Sequence, residues 1–281
     1  MILYLIIFVI ILILLVLYYI FEDDQKIFPK IIWTYWNTKE IPPFINTCIS
    51  TWRKHNPTFQ INIVNRENLH KYLDIDIVAL KNNDSLARES DFVRLNILSR
   101  YGGFWFDASV ICTEPLSWIY KRNKENNKTQ YFGFYLEEYT SNEKYPVIEG
   151  WIFGCIKNSP FVTAWCKEFM RINDYPKVAD YIEDLKKTVD LQKLGDSAIY
   201  LAISAAAQCV LQKQGPWTGI DVISATKENG AFHYLGVNGW DDNKSSESLC
   251  TNPEALSPLI KLRRADREIL ENNPDIIKCL I

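Results

Sequence analysis

Residues 1–21, MILYLIIFVIILILLVLYYIF, contain no charged side chain, no glycine and no proline. Coiled as a helix they would reach ~30 Å, the thickness of a bilayer's hydrocarbon core. Such a helix has no polar face, unlike one lying on a protein surface. Its end in Tyr18, Tyr19, Ile20 and Phe21 lacks the small residues of a signal-peptide cleavage site. The stretch is predicted as a single transmembrane anchor with its tyrosines at the interface, followed by a linker over 22–29. Lys26, Lys30 and Lys39 follow the span and no Lys or Arg precedes it, which points the remainder toward the cytosol.

From residue 30 the pattern shortens. KIIWTYW, residues 30–36, is an apolar, β-rich run predicted as a first strand. IPPFINTCISTWRKH has helical spacing and is bounded by prolines on both sides. FQINIV, 59–64, alternates apolar and polar as a second strand does, and NLHKYLDIDIVALKN is predicted to be helical in turns. Residues 90–101 read as a helix with Ser90 as N-cap and Asp91 in its first turn. Gly102 and Gly103 end that helix and turn the chain into a strand over 104–111. Strand and helix alternating in this way predict an α/β fold with a parallel, doubly wound sheet.

Beyond Pro115 the signals are less regular. YFGFYLEE and IEGWIFGCI read as strands, and SPFVTAWCKEFMRIN and DSAIYLAISAAAQCVLQKQ as helices, the second with Asp196 near its start. GAFHYLG reads as a strand and LIKLRRADREILENN as a charged tail helix. No linker divides residues 30–281, which are expected to form one domain.

Composition narrows the function. The chain of 281 residues is 48% hydrophobic and 14% aromatic, enough for one sizeable core. A net charge of −3 excludes a general polyanion binder, because phosphate backbones demand a basic surface. The seven cysteines include no CxxC pair and no compact framework, and most of them read as small core residues.

The chemistry concentrates in SDFVRLNILSRYGGFWFDAS, residues 90–109. Asp91 and Arg94 lie three apart and so emerge on one helix face. Along the strand, period two puts Trp105, Asp107 and Ser109 on one side. Asp107 falls at the C-terminal end of a predicted parallel strand, where open α/β sheets bind ligands. A solitary acid there would serve as a salt bridge docking helix on sheet. An acid, a base, a Gly-Gly turn and a strand-end acid within twenty residues point instead to a ligand site.

This stretch closely resembles the S-D-x-x-R…Y-G-G-x-(Y/W)-x-D-x-(D/T/S) signature of nucleotide-sugar glycosyltransferases. The families concerned are the DxD sugar-binding-region glycosyltransferases, the capsular polysaccharide synthesis proteins and, more distantly, the large clostridial glucosylating toxins. FPKIIWTYWNT resembles their first strand and IEGWIFGCIKNSPFVTAW a later segment. The resemblance is dense over residues 28–170. It implies a GT-A fold, a Rossmann-like α/β nucleotide-diphospho-sugar transferase with a mostly parallel central sheet. It also implies transfer of a hexosyl residue from a nucleotide-diphosphate sugar to a glycan or lipid-linked saccharide acceptor, with retention. A degenerate relative that binds nucleotide sugar or glycan without efficient turnover is the alternative.

Carried over by position, the resemblance assigns donor binding to Tyr35, Trp36, Asp91, Arg94, Asp107 and Ser109. It assigns catalysis to Asp107, Arg94 and Glu149, and a divalent metal, Mn²⁺ or Mg²⁺, to Asp107 and Ser109. Ser109 departs from relatives that carry a second carboxylate there, and a hydroxyl offsets no metal charge. Lys261 and Arg263 are further candidates to neutralise the leaving diphosphate.

Overall fold

The structure is a computed structural model that describes residues 10–12, 27–126 and 129–273. Apart from residues 10–12, the predicted anchor lies outside the described residues. Among the described residues no helix is long and apolar enough to cross a membrane.

Six strands build the central sheet: β1 (Ile31–Tyr35), β2 (Gln60–Val64), β3 (Gly103–Phe106), β5 (Tyr131–Tyr135), β6 (Ile148–Cys155) and β7 (Ile220–Ser224), in the order β2-β1-β3-β6-β5-β7. β1 runs parallel to β2 and β3, and β5 parallel to β7, whereas β6 is antiparallel to both β3 and β5. The sheet is thus mostly parallel, with one reversed strand at its centre. A separate two-stranded sheet pairs β4 (Val110–Cys112) with β8 (Leu259–Lys261).

The inner strands β1 and β3 are buried on both faces, and apart from Thr34 and Gly103 their residues are large and apolar. Period two divides them. Trp33, Tyr35 and Trp105 pack with helix α2 (Leu86–Tyr101), α4 (Pro160–Met170) and α6 (Ala202–Lys213) on one face. Ile32, Phe104 and Phe106 pack with α1 (Pro43–His55) and the C-terminal segments on the other. Residue 107 continues the side of Trp105 and is thereby turned toward α2.

The connection from α2 to β3 depends on two glycines. Gly102 and Gly103 have φ of 65° and 91°, which side chains with a Cβ rarely adopt. A Cβ at Gly103 would meet the Ile31 carbonyl oxygen at 2.6 Å. Gly103→Ala is expected to lower unfolding stability by about 2–4 kcal/mol, combining positive-φ strain with a backbone clash. Denaturant unfolding monitored by circular dichroism measures this; an unchanged midpoint would contradict the account of the turn.

Several elements differ from the sequence expectation. Helix α2 starts at Leu86 rather than 90, because Ser85 caps it by accepting from the Arg88 amide. Ser90 and Asp91 therefore lie inside the helix. The expected strand over 104–111 breaks at Asp107: β3 ends at Phe106, a turn follows, and Val110–Cys112 leaves for the second sheet. GAFHYLG is not a strand but a turn and a short helix, α7 (His233–Gly236). The tail splits into β8 and a helix, α9 (Arg264–Asn272), since Leu259, Ile260 and Lys261 find β4 as a partner. Asp196 does not begin α6; it lies in a 3₁₀ segment, Gln192–Ala198, and the helix proper starts at Ala202. Cys48, Cys112, Cys155, Cys166 and Cys209 are buried and unpaired, as small core residues are.

Candidate active site

The C-terminal ends of β1 and β3 open into a cavity of about 730 Å³, a volume suited to a small-molecule ligand. Tyr35, Trp36, Asp91, Arg94, Asp107, Ser109 and Glu149 all line it. Glu149 arrives through strand direction. Because β6 runs against β3, its first residues lie beside the last residues of β3, and the Asp107 amide donates to the Trp151 carbonyl at 2.9 Å.

Asp107 is the hub. Its Oδ1 accepts from Arg94 Nη2 and from Trp105 Nε1, each at 3.0 Å. Its Oδ2 faces Lys261 Nζ at 3.4 Å. Burial by itself would raise its pKa, but Arg94, Lys261 and the Trp105 donor hold the carboxyl below the usual range. The side chain keeps 24% of its exposure, so the acid is ionised and reachable.

Arg94 is pinned from several sides. It pairs with Asp91 at 3.3 Å, bonds the Ser90 hydroxyl at 3.1 Å and lies 5.3 Å above the Trp105 ring. Gly150 makes room for it: a Cβ there would come within 2.8 Å of Arg94 Nη1. Asp91 is itself buried, which pushes its carboxyl up to about 6 against the pull of Arg94 and Arg88. Burial pushes Glu149 further, to about 7, and its Oε1 has no hydrogen-bond partner among the described residues.

Tyr35 and Trp36 differ. The Tyr35 ring is buried and its hydroxyl donates to Glu89, which Arg66 also grips through two bonds of 2.8 and 2.7 Å. Trp36, half-buried just past β1, lines the cavity wall. Arg88, Glu89 and Arg267 also belong to the site or its frame, and sequence reasoning missed them. Arg88 and Asp91 are three apart like Asp91 and Arg94, a spacing legible once the helix is begun at Ser85.

The geometry tests the expected metal. Among the described residues no group of three or more His, Cys, Asp or Glu side chains could hold an ion. Both oxygens of Asp107 already face cations, and the Ser109 hydroxyl donates to the Leu262 carbonyl at 3.2 Å. Lys261 Nζ lies 3.4 Å from Ser109 Oγ and 3.4 Å from Asp107 Oδ2. A divalent ion between these two residues would displace an ammonium and add charge beside a guanidinium. The pair expected to ligate metal does not fit one.

The sequence model of the capsular polysaccharide synthesis proteins matches residues 18–184, a span that holds β1, α2, β3 and β6. The chain belongs to that family. Asp91, Arg94, Asp107 and Glu149 all fall within the matched family region. An O-glycosyltransferase, braB, from Annulohypoxylon truncatum is 25% identical over 165 residues, which cover 52% of this chain and 38% of that protein. The chain thus spans about two-fifths of the length of this curated relative. Similar solved structures include the PaToxG glycosyltransferase, 13% identical with a TM-score of 0.39, covering 93% of this chain and 94% of that one. A glycosyltransferase involved in glycosylation of the major capsid of PBCV-1 is 12% identical with a TM-score of 0.40, over 86% and 98% of the two chains. The glycosyltransferase GlyE of Streptococcus pneumoniae TIGR4 is 10% identical with a TM-score of 0.43, over 90% and 63%.

Proposed function

We propose that this family member is a GT-A-type glycosyltransferase that moves a hexosyl residue from a nucleotide-diphosphate sugar to a glycan or lipid-linked saccharide, with retention. The observation that carries the reading is Asp107: an ionised, partly exposed acid held between two cations at the mouth of a cavity. A binding pocket for a neutral ligand has no use for that arrangement. A diphosphate sugar does, since its hydroxyls need acceptors and its departing diphosphate needs positive charge.

In this reading Trp36 stacks against the base, and Asp91 and Asp107 accept from ribose or sugar hydroxyls. When the bond between the anomeric carbon and the diphosphate oxygen breaks, its electron pair leaves with the diphosphate, and Arg94 meets the developing charge. The acceptor hydroxyl's oxygen bonds the anomeric carbon on the face the diphosphate leaves. Glu149, with its carboxyl near 7, can take the acceptor hydroxyl's proton at neutral pH. Residues 1–21 would tether this chemistry to a membrane, next to a lipid-linked acceptor.

The test is a panel of nucleotide sugars incubated with the full chain in detergent. Slow release of free sugar and nucleoside diphosphate from one donor, without any acceptor, is the expected result. A panel in which no donor is hydrolysed would overturn the reading of turnover; binding alone would identify a degenerate member.

A further inference from the structure

Lys261 reaches the site through a constraint that backbone pairing imposes. β8 is antiparallel to β4 with Lys261 opposite Val110, directly after the turn that presents Asp107 and Ser109. The ammonium is therefore delivered between those two side chains, and it also donates to the Leu262 carbonyl at 3.0 Å. Its side chain is only 14% exposed. Burial pulls its pKa below the ordinary lysine value while Asp107 opposes the shift. An ammonium is costly to bury. Here it brings a positive charge to a cavity wall that already has Arg94 on its other side. Six residues on, in α9, Arg267 lines the same cavity, and its Nε has no hydrogen-bond partner among the described residues. Arg263, by contrast, is committed to Asp266 and Asp242 at 2.9 and 2.7 Å.

We propose that Lys261, seconded by Arg267, takes the place of the divalent cation and binds the donor's diphosphate directly, so that the site works without metal. The proposal rests on the nucleotide-sugar reading above and deepens it. Three features support it together: Lys261 stands between the two residues expected to ligate metal, Ser109 carries no charge, and Arg267 retains a free donor. A lysine in this position supplies the electrostatic part of a metal's task, neutralising the leaving diphosphate. It adds no requirement for a second carboxylate, which accounts for the hydroxyl at position 109.

The experiment is isothermal titration of the purified full chain in detergent with UDP, GDP, ADP, CDP and dTDP, once in EDTA and once in Mn²⁺ or Mg²⁺. The expected result is one nucleoside diphosphate bound in EDTA with an affinity within about twofold of that with metal. Lys261→Met should weaken that binding by about tenfold to a hundredfold, the range for losing a charge-assisted bond, and Lys261→Arg should retain most of it. Binding that EDTA abolishes and Mn²⁺ restores would overturn the proposal while leaving the nucleotide-sugar reading in place. So would a folded Lys261→Met variant that binds as tightly as the parent. No binding of any diphosphate in either buffer would overturn both. The comparison of buffers uses the unaltered protein, so it stands even where a variant fails to fold.

Discussion

Asp107→Asn is expected to reduce donor turnover on the order of 10²–10³-fold, the scale for removing one electrostatic contact made in a transition state. Asparagine keeps the shape of the side chain and can still accept from Trp105 Nε1, 3.0 Å away, but it cannot balance Arg94 and Lys261. With the acid gone, those cations lose the charge that positions them, and the sugar hydroxyls lose their strongest acceptor. Some stability is lost as well, because removing one partner of a buried pair leaves the other uncompensated; the remaining exposure of Asp107 tempers that cost. Product formation measured beside a near-ultraviolet circular dichroism spectrum separates the two effects. A variant with the parent's turnover would show that the acid is there only to dock α2 on the sheet.

The second large effect is a dependence of stability on pH that Glu149 imposes. Its carboxyl titrates near 7 in the folded protein against an ordinary value of 4.5. A group whose folded pKa is raised holds its proton more firmly when folded. Its contribution is complete below the unfolded value and disappears as pH rises through the folded one. Between about pH 4.5 and 7 the protein therefore loses about 3 kcal/mol that the neutral isostere does not lose. Asp91, raised to about 6, adds a slope of the same sign, while Asp107, lowered, opposes it at more acidic pH. Comparing Glu149→Gln with the parent isolates the Glu149 part. Denaturant midpoints across this range should show the variant gaining on the parent as pH rises, and parallel curves would rule out a buried titrating acid at this position. The same window matters for chemistry, because an acid poised near neutrality can both hold and release a proton there.

The arrangement also shows why one strand is reversed. If β6 ran parallel to β3, its beginning would lie at the far edge of the sheet and Glu149 with it. Reversal places the start of β6 at the ligand edge, so Glu149 and the Gly150 gap that admits Arg94 face the same cavity as Asp107.

Much of this was legible along the chain because it rests on short-range geometry. The alternation of Trp33, Tyr35 and Trp105 with Ile32, Phe104 and Phe106 follows from the two-residue period of a strand. The meeting of Asp91 with Arg94 follows from helix spacing, and the turn at Gly102 and Gly103 from their freedom to take positive φ. The start of α2 was misplaced because Ser85 and Ser90 are equally good caps locally; packing chose the earlier one. GAFHYLG and LIKLRR misled for a related reason, since such short runs suit strand or helix until a partner strand is known. Only tertiary structure could decide that Lys261 stands between Asp107 and Ser109 and that Glu149 comes to the ligand edge. Those facts depend on strand direction and on a pairing between distant segments, β4 and β8. Neither leaves a periodic trace in the residues themselves.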